Sequence, residues 1–76
     1  MNKTRRKRIQ DIIDQLEGLK SEIEELQAKE QDSFDAIPEN MQQSERAEKS
    51  ETAINELEEA ADNIQNAIDN LQTSIE

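Results

Sequence analysis

The sequence predicts an all-α protein, an antiparallel two-helix hairpin of coiled-coil type that assembles into a homo-oligomeric helical bundle. Three observations carry that prediction. Large aliphatic residues recur at alternating steps of three and four in both halves of the chain, the spacing of an a/d heptad seam. The one Pro, Pro38, falls between the two patterned halves, and a Pro both lacks a backbone donor and pushes its predecessor out of the α region. At 76 residues, 32% hydrophobic, with one aromatic and no Cys, the chain has too little apolar material for a comfortable monomeric core and no disulfide to compensate. Self-association, as a dimer or a higher assembly, is the remaining staple.

The chain reads as a single domain over residues 1–76, with the first helix at about residues 3–32. Its expected seam is Ile9, Ile12, Leu16, Leu19, Ile23 and Leu26, widened by Ile13. Gly18 falls on the outward side, where it costs about 1 kcal/mol relative to Ala; it reads either as a plain surface Gly or as a point of close approach by a partner. A connecting segment follows at about residues 33–43, where the heptad phase is lost. Pro38 there suits the first position of a short helical turn. Ser44 is the expected N-cap of a second helix at about residues 44–75, with Glu45 and Glu48 near its positive end. The second seam is Ala47, Ile54, Leu57, Ala61, Ile64, Ile68, Leu71 and Ile75, and beside it Ala53, Ala60 and Ala67 form a stripe of small residues that lets another helix approach closely. Each helix then extends roughly 45 Å at about 1.5 Å per residue.

Composition excludes whole classes of chemistry. With neither His nor Cys, the usual zinc sites, Ser-His and Cys-His nucleophile systems and imidazole bases are out of reach. No cofactor is expected. No apolar run approaches the roughly 18 residues that a bilayer span needs, and the basic start is not followed by a signal-peptide core. A soluble, cytoplasmic protein with no membrane partner is the expectation.

Charge is distributed unevenly. The net charge is -10, yet Lys3, Arg5, Arg6, Lys7 and Arg8 open the chain and an acidic body follows. Positive charge at a helix N-terminus opposes the helix dipole. In an antiparallel hairpin this head could pair with Asp62, Asp69 and Glu76 of the second helix; otherwise it is open to an anionic ligand. Nucleic acid is not an expected partner, because the carboxylates of the body repel phosphates and one aromatic gives little stacking surface. The pairs Glu22/Glu25 and Glu59/Asp62 resemble the paired acidic motifs of all-helical magnesium pyrophosphatases, but their heptad phase points them outward, so no metal ligands are assigned. A row of carboxylates on a rigid rod reads first as a means of keeping the bundle soluble, and in the alternative as an imitation of nucleic acid in a basic groove of another protein.

The connecting segment holds Phe34, Ile37, Pro38 and Met41, followed by Ser44, Glu45 and Arg46. These residues either cap the open end of the bundle or form a ligand site. In the second case Phe34 is a stacking ring, free N–H groups open the second helix, and Arg46 is a bidentate donor, with Lys49, Ser44, Gln43 and Asn40 beside them. Arg5, Arg6 and Arg8 lie at the other end of the same hairpin. Two hairpins packed head to tail would bring these arginines to the partner's Phe34, Arg46 and Lys49 and so make a composite pocket.

The basic start NKTRRKRI, the two acidic heptad helices and the middle EQDSFDAIPENMQQSERAE resemble a group of short helical proteins encoded in phages and mobile elements of Gram-positive bacteria. In size and expected assembly the chain is also similar to small phage homo-oligomers that sequester cyclic or ADP-ribose-type signals of bacterial antiviral defence. The resemblance implies a non-enzymatic anti-defence protein that binds a small anionic nucleotide in the host cytoplasm and withholds it from its effector. The alternatives are an acidic interaction module or nucleic-acid mimic that blocks a host protein, and a structural coiled-coil protein.

Overall fold

The computed structural model describes residues 1–76 as two long helices joined by a tight loop. Helix α1 spans Lys3–Asp35, a single 3-10 turn spans Glu39–Met41, and helix α2 spans Glu45–Ser74. There is no strand. The two helices pack against each other along a body 59 × 15 × 13 Å in extent. No helix is long and apolar enough to cross a membrane.

Local chemistry sets the ends. Asn2 caps α1, its Oδ1 accepting from the Arg5 amide at 2.8 Å, a start signal that the sequence reading passed over. Helix α1 continues about a turn past its expected end and stops at Asp35, just short of the residues that Pro38 restricts. Phe34 therefore sits in the last helical turn and not in the loop. Pro38, expected at the first helical position, instead precedes the 3-10 turn, because its ψ of 143° is extended. Its carbonyl accepts from Met41 at 2.8 Å, and the Gln42 side chain closes the loop on the Ile37 carbonyl at 3.4 Å. Ser44 caps α2 as expected, accepting from the Ala47 amide at 3.3 Å, with Glu45 and Glu48 in the first turn.

The packing of α2 follows the expected seam, with Ala47, Ile54, Ala61 and Ile68 buried. Helix α1 is rotated relative to expectation. Ile13 is fully buried, while Ile12, Leu19 and Leu26 are 46%, 51% and 54% exposed. The rank paired with Ile9, Leu16 and Ile23 is thus Ile13, Lys20, Gln27 and Phe34. The loop end accounts for the choice. Phe34 lies whole heptads from Ile13, so this phase brings the chain's one ring and the neighbouring Ile37 inward, whereas the other phase would bring in Ser33. The polar members of the rank find partners. Lys20 Nζ donates to Gln65 Oε1 at 2.9 Å, and Glu30, one heptad beyond Ile23, accepts from the buried Ser50 Oγ at 2.7 Å.

In this register Ile13 and Ile54 occupy heptad position a, Leu16 and Leu57 position d, and Leu19 and Ala60 position g. In an antiparallel pair the g positions of both helices lie on one side of the hairpin and the e positions on the other. The d residues Ile9, Leu16, Ile23, Leu57, Ile64 and Leu71 are only half-buried, as are Ala53, Ala60 and Ala67 at g. One broad side of the hairpin is consequently apolar and open.

Candidate functional site

Charge sorts by the same register. Every carboxylate of the two helices falls at b, e or f, except Glu22 and Glu56 at c and Glu30 at d. The basic residues Arg5, Arg8, Lys29, Arg46 and Lys49 instead fall at g and c, along the edge of the open apolar side. The acidic and apolar faces are therefore back to back.

At the loop end of the apolar side lies an open groove of about 620 Å³, lined by Glu30, Ser33, Ile37, Glu45, Arg46, Lys49 and Ser50. Arg46 and Lys49 reach it because they are one helical turn apart, at g and c of α2. Lys49 is held by Glu45 at 3.2 Å, and Glu30 by Ser50. Arg46 takes part in no ion pair and in no side-chain hydrogen bond. Two cations thus face two carboxylates in the groove of one chain.

Of the residues singled out from sequence, the structure brings Arg46 and Lys49 together in the groove and leaves Phe34, Asn40, Gln43 and Ser44 outside its lining. Phe34 is half-buried in the interhelical seam, so its ring is engaged in packing. Asn40 lies in the exposed 3-10 turn and Gln43 in the exposed turn that follows. The Ser44 hydroxyl is engaged with the Ala47 amide, which removes one of the N–H groups expected to be free. Sequence reasoning missed Ser33 and Ser50. The signal for Ser50 was present, because a Ser three residues after Ala47 and four before Ile54 falls in the seam once Ala47 is placed at a.

Arg5, Arg6 and Arg8 are exposed at the far end of α1. Their expected pairing with Asp62, Asp69 and Glu76 does not form: the two ion pairs of the chain are Lys29–Glu25 at 3.8 Å and Lys49–Glu45 at 3.2 Å. Position b turns those carboxylates away from α1, and Asp69 accepts instead from Gln65 at 2.9 Å. The head lies beside the C-terminal end of α2, whose unpaired carbonyls carry partial negative charge. Glu22, Glu25, Glu59 and Asp62 are likewise exposed on outer positions, and no three acidic side chains come together as metal ligands. A Cβ on Gly18 would meet nothing within 4 Å, so no close approach within the hairpin requires that Gly.

Comparison of the chain with protein-family models, curated proteins and solved structures finds no match.

Proposed function

We propose that the protein is a non-enzymatic, homo-oligomeric helical hairpin that captures a small anionic nucleotide, of cyclic nucleotide or ADP-ribose type, at the groove beneath its loop. In keeping with the resemblance to phage-encoded helical proteins, it acts in the host cytoplasm as an anti-defence protein that withholds the nucleotide from its effector. The observation that supports this reading is the groove itself. In a chain of net charge -10, it is where an unpaired guanidinium, an ammonium, two hydroxyls and an apolar side chain share one open cavity. Guanidinium forks and hydroxyls are donors that phosphate groups require, and Arg46 and Ser33 are the ones not already engaged, since the Ser50 hydroxyl donates to Glu30. With Glu30 and Glu45 opposing Arg46 and Lys49, tight capture needs further positive charge from a second copy.

The test is calorimetry with ADP-ribose and with a cyclic dinucleotide, beside native mass spectrometry of protein recovered from phage-infected cells. We expect a retained small molecule, and a loss of tenfold or more in affinity for Arg46→Ala, as one charge-assisted bidentate contact of roughly 1.5–3 kcal/mol implies. Absence of binding to both probes together with an unliganded native mass would overturn the reading.

The segregated acidic face supports a second reading, an interaction module that imitates nucleic acid on a basic host protein. Its affinity would be spread over many carboxylates and would fall steeply with salt. Replacing Glu24, Glu25, Glu58 and Glu59 by Ala together separates the two, since groove capture survives that change and mimicry does not.

A further inference from the structure

The open apolar side of the hairpin is where the molecule is most incomplete. Along it run Ile12, Leu19 and Leu26 at g of α1, each about half exposed, and Ala53, Ala60 and Ala67 at g of α2, with the half-buried d residues between them. No ionisable side chain interrupts this stretch. We propose that a second copy of the chain covers this face, with both loops at the same end, so that the large stripe of α1 in each copy packs into the small stripe of α2 in the other and two hairpins close into a four-helix bundle. This deepens the homo-oligomer part of the preceding reading and does not depend on a nucleotide being bound.

Area, shape and charge each favour that occupant. The chain exposes 5825 Å². A typical folded monomer of its 8.7 kDa exposes about 4,700 Å². The excess of about 1,100 Å² is more than the ~800 Å² that each partner gives to a standard interface. Shape selects the orientation. A two-fold axis along the hairpin sets α1 over the partner's α2, antiparallel, with Leu facing Ala along the whole length and even spacing between helices. A head-to-tail pairing would set Leu on Leu along one edge and Ala on Ala along the other, and the two layers would splay.

Charge agrees with shape. The contacts from Glu30 to Ser50 and from Lys20 to Gln65 fix which residues of the two helices are level. With the loops together, Lys29 comes within about one turn, roughly 5 Å along the axis, of the partner's Glu56. Head to tail, Arg8 comes level with the partner's Lys29 instead.

Spin labels on Asn40→Cys, an exposed loop position, test the orientation by pulsed dipolar spectroscopy on the full chain. The expected result is a short distance, on the order of 20–30 Å, for two loops across helices spaced about 10 Å apart. A distance approaching the 59 Å length of the hairpin would overturn the same-end arrangement. Absence of any intermolecular distance, with a sedimentation mass of one chain, would overturn the pairing altogether. Ala60→Leu keeps helix propensity while filling the small stripe, so it is expected to give a helical chain of halved mass. A full-mass Ala60→Leu assembly would show that the face is not the interface. Nucleotide capture plays no part in these readouts, so failure of the groove reading is seen separately.

Discussion

The contrast between two adjacent isoleucines states the packing most sharply. Ile13 is fully buried between the helices, whereas Ile12 is 46% exposed on the open side. Ile13→Ala is expected to lower stability by about 2–4 kcal/mol, since it removes buried methyl groups and leaves a cavity. Ile12→Ala should leave the hairpin's helicity unchanged and weaken assembly only; circular dichroism melts at several concentrations distinguish the two outcomes. Gly18 and Ser44 make a second pair. With open space where its Cβ would be, Gly18→Ala should raise stability by about 0.5–1 kcal/mol. Ser44→Ala removes the cap on the Ala47 amide and should cost about 1 kcal/mol in chemical denaturation.

At the scale of the helices, the sequence specified existence, direction and most boundaries but not the rotation of α1. Ile9, Leu16 and Ile23 are common to two heptad phases, and the second rank can be Ile12, Leu19 and Leu26 or Ile13, Lys20 and Gln27. Hydrophobicity favours the first. The hairpin adopts the second because Phe34 and Ile37 anchor it at the loop and because Lys20 and Glu30 find Gln65 and Ser50 as partners, none of which is visible in one helix read alone. The groove was half legible for the same reason. Arg46 and Lys49 follow from their spacing of one turn and Ser50 from its place in the α2 seam, while Ser33 and Glu30 enter only once both helices are in register, and Phe34 leaves it. Replacing Lys20 by Leu exchanges a partly buried ammonium for an apolar side chain in the interhelical seam beside Gln65. The variant should be more stable by about 0.5–1.5 kcal/mol, the net worth of the hydrogen bond it gives up being smaller than the apolar burial gained. A lower melting temperature for Lys20→Leu would show that the Gln65 contact, and not the hydrocarbon, holds that layer.

For the whole molecule, a two-faced architecture follows from the heptad register. Most carboxylates occupy the outer positions of both helices, the inner side is largely aliphatic, and Arg5, Arg8, Lys29, Arg46 and Lys49 line the edge between them. On the proposed pairing, such a hairpin is half of a bundle. In the proposed bundle the acidic outer face would keep assemblies apart from one another, and the apolar face would take the second copy. The proposed pairing would leave the groove at the loop end on the margin of the interface. Sedimentation equilibrium of the wild-type chain and of Leu19→Glu, across a hundredfold range of concentration, tests this most directly. The expected result is a mass twice 8.7 kDa for the wild type, falling to one chain only on dilution, and a helical single chain for Leu19→Glu. A wild-type protein that stays fully helical at the mass of one chain throughout that range would contradict it.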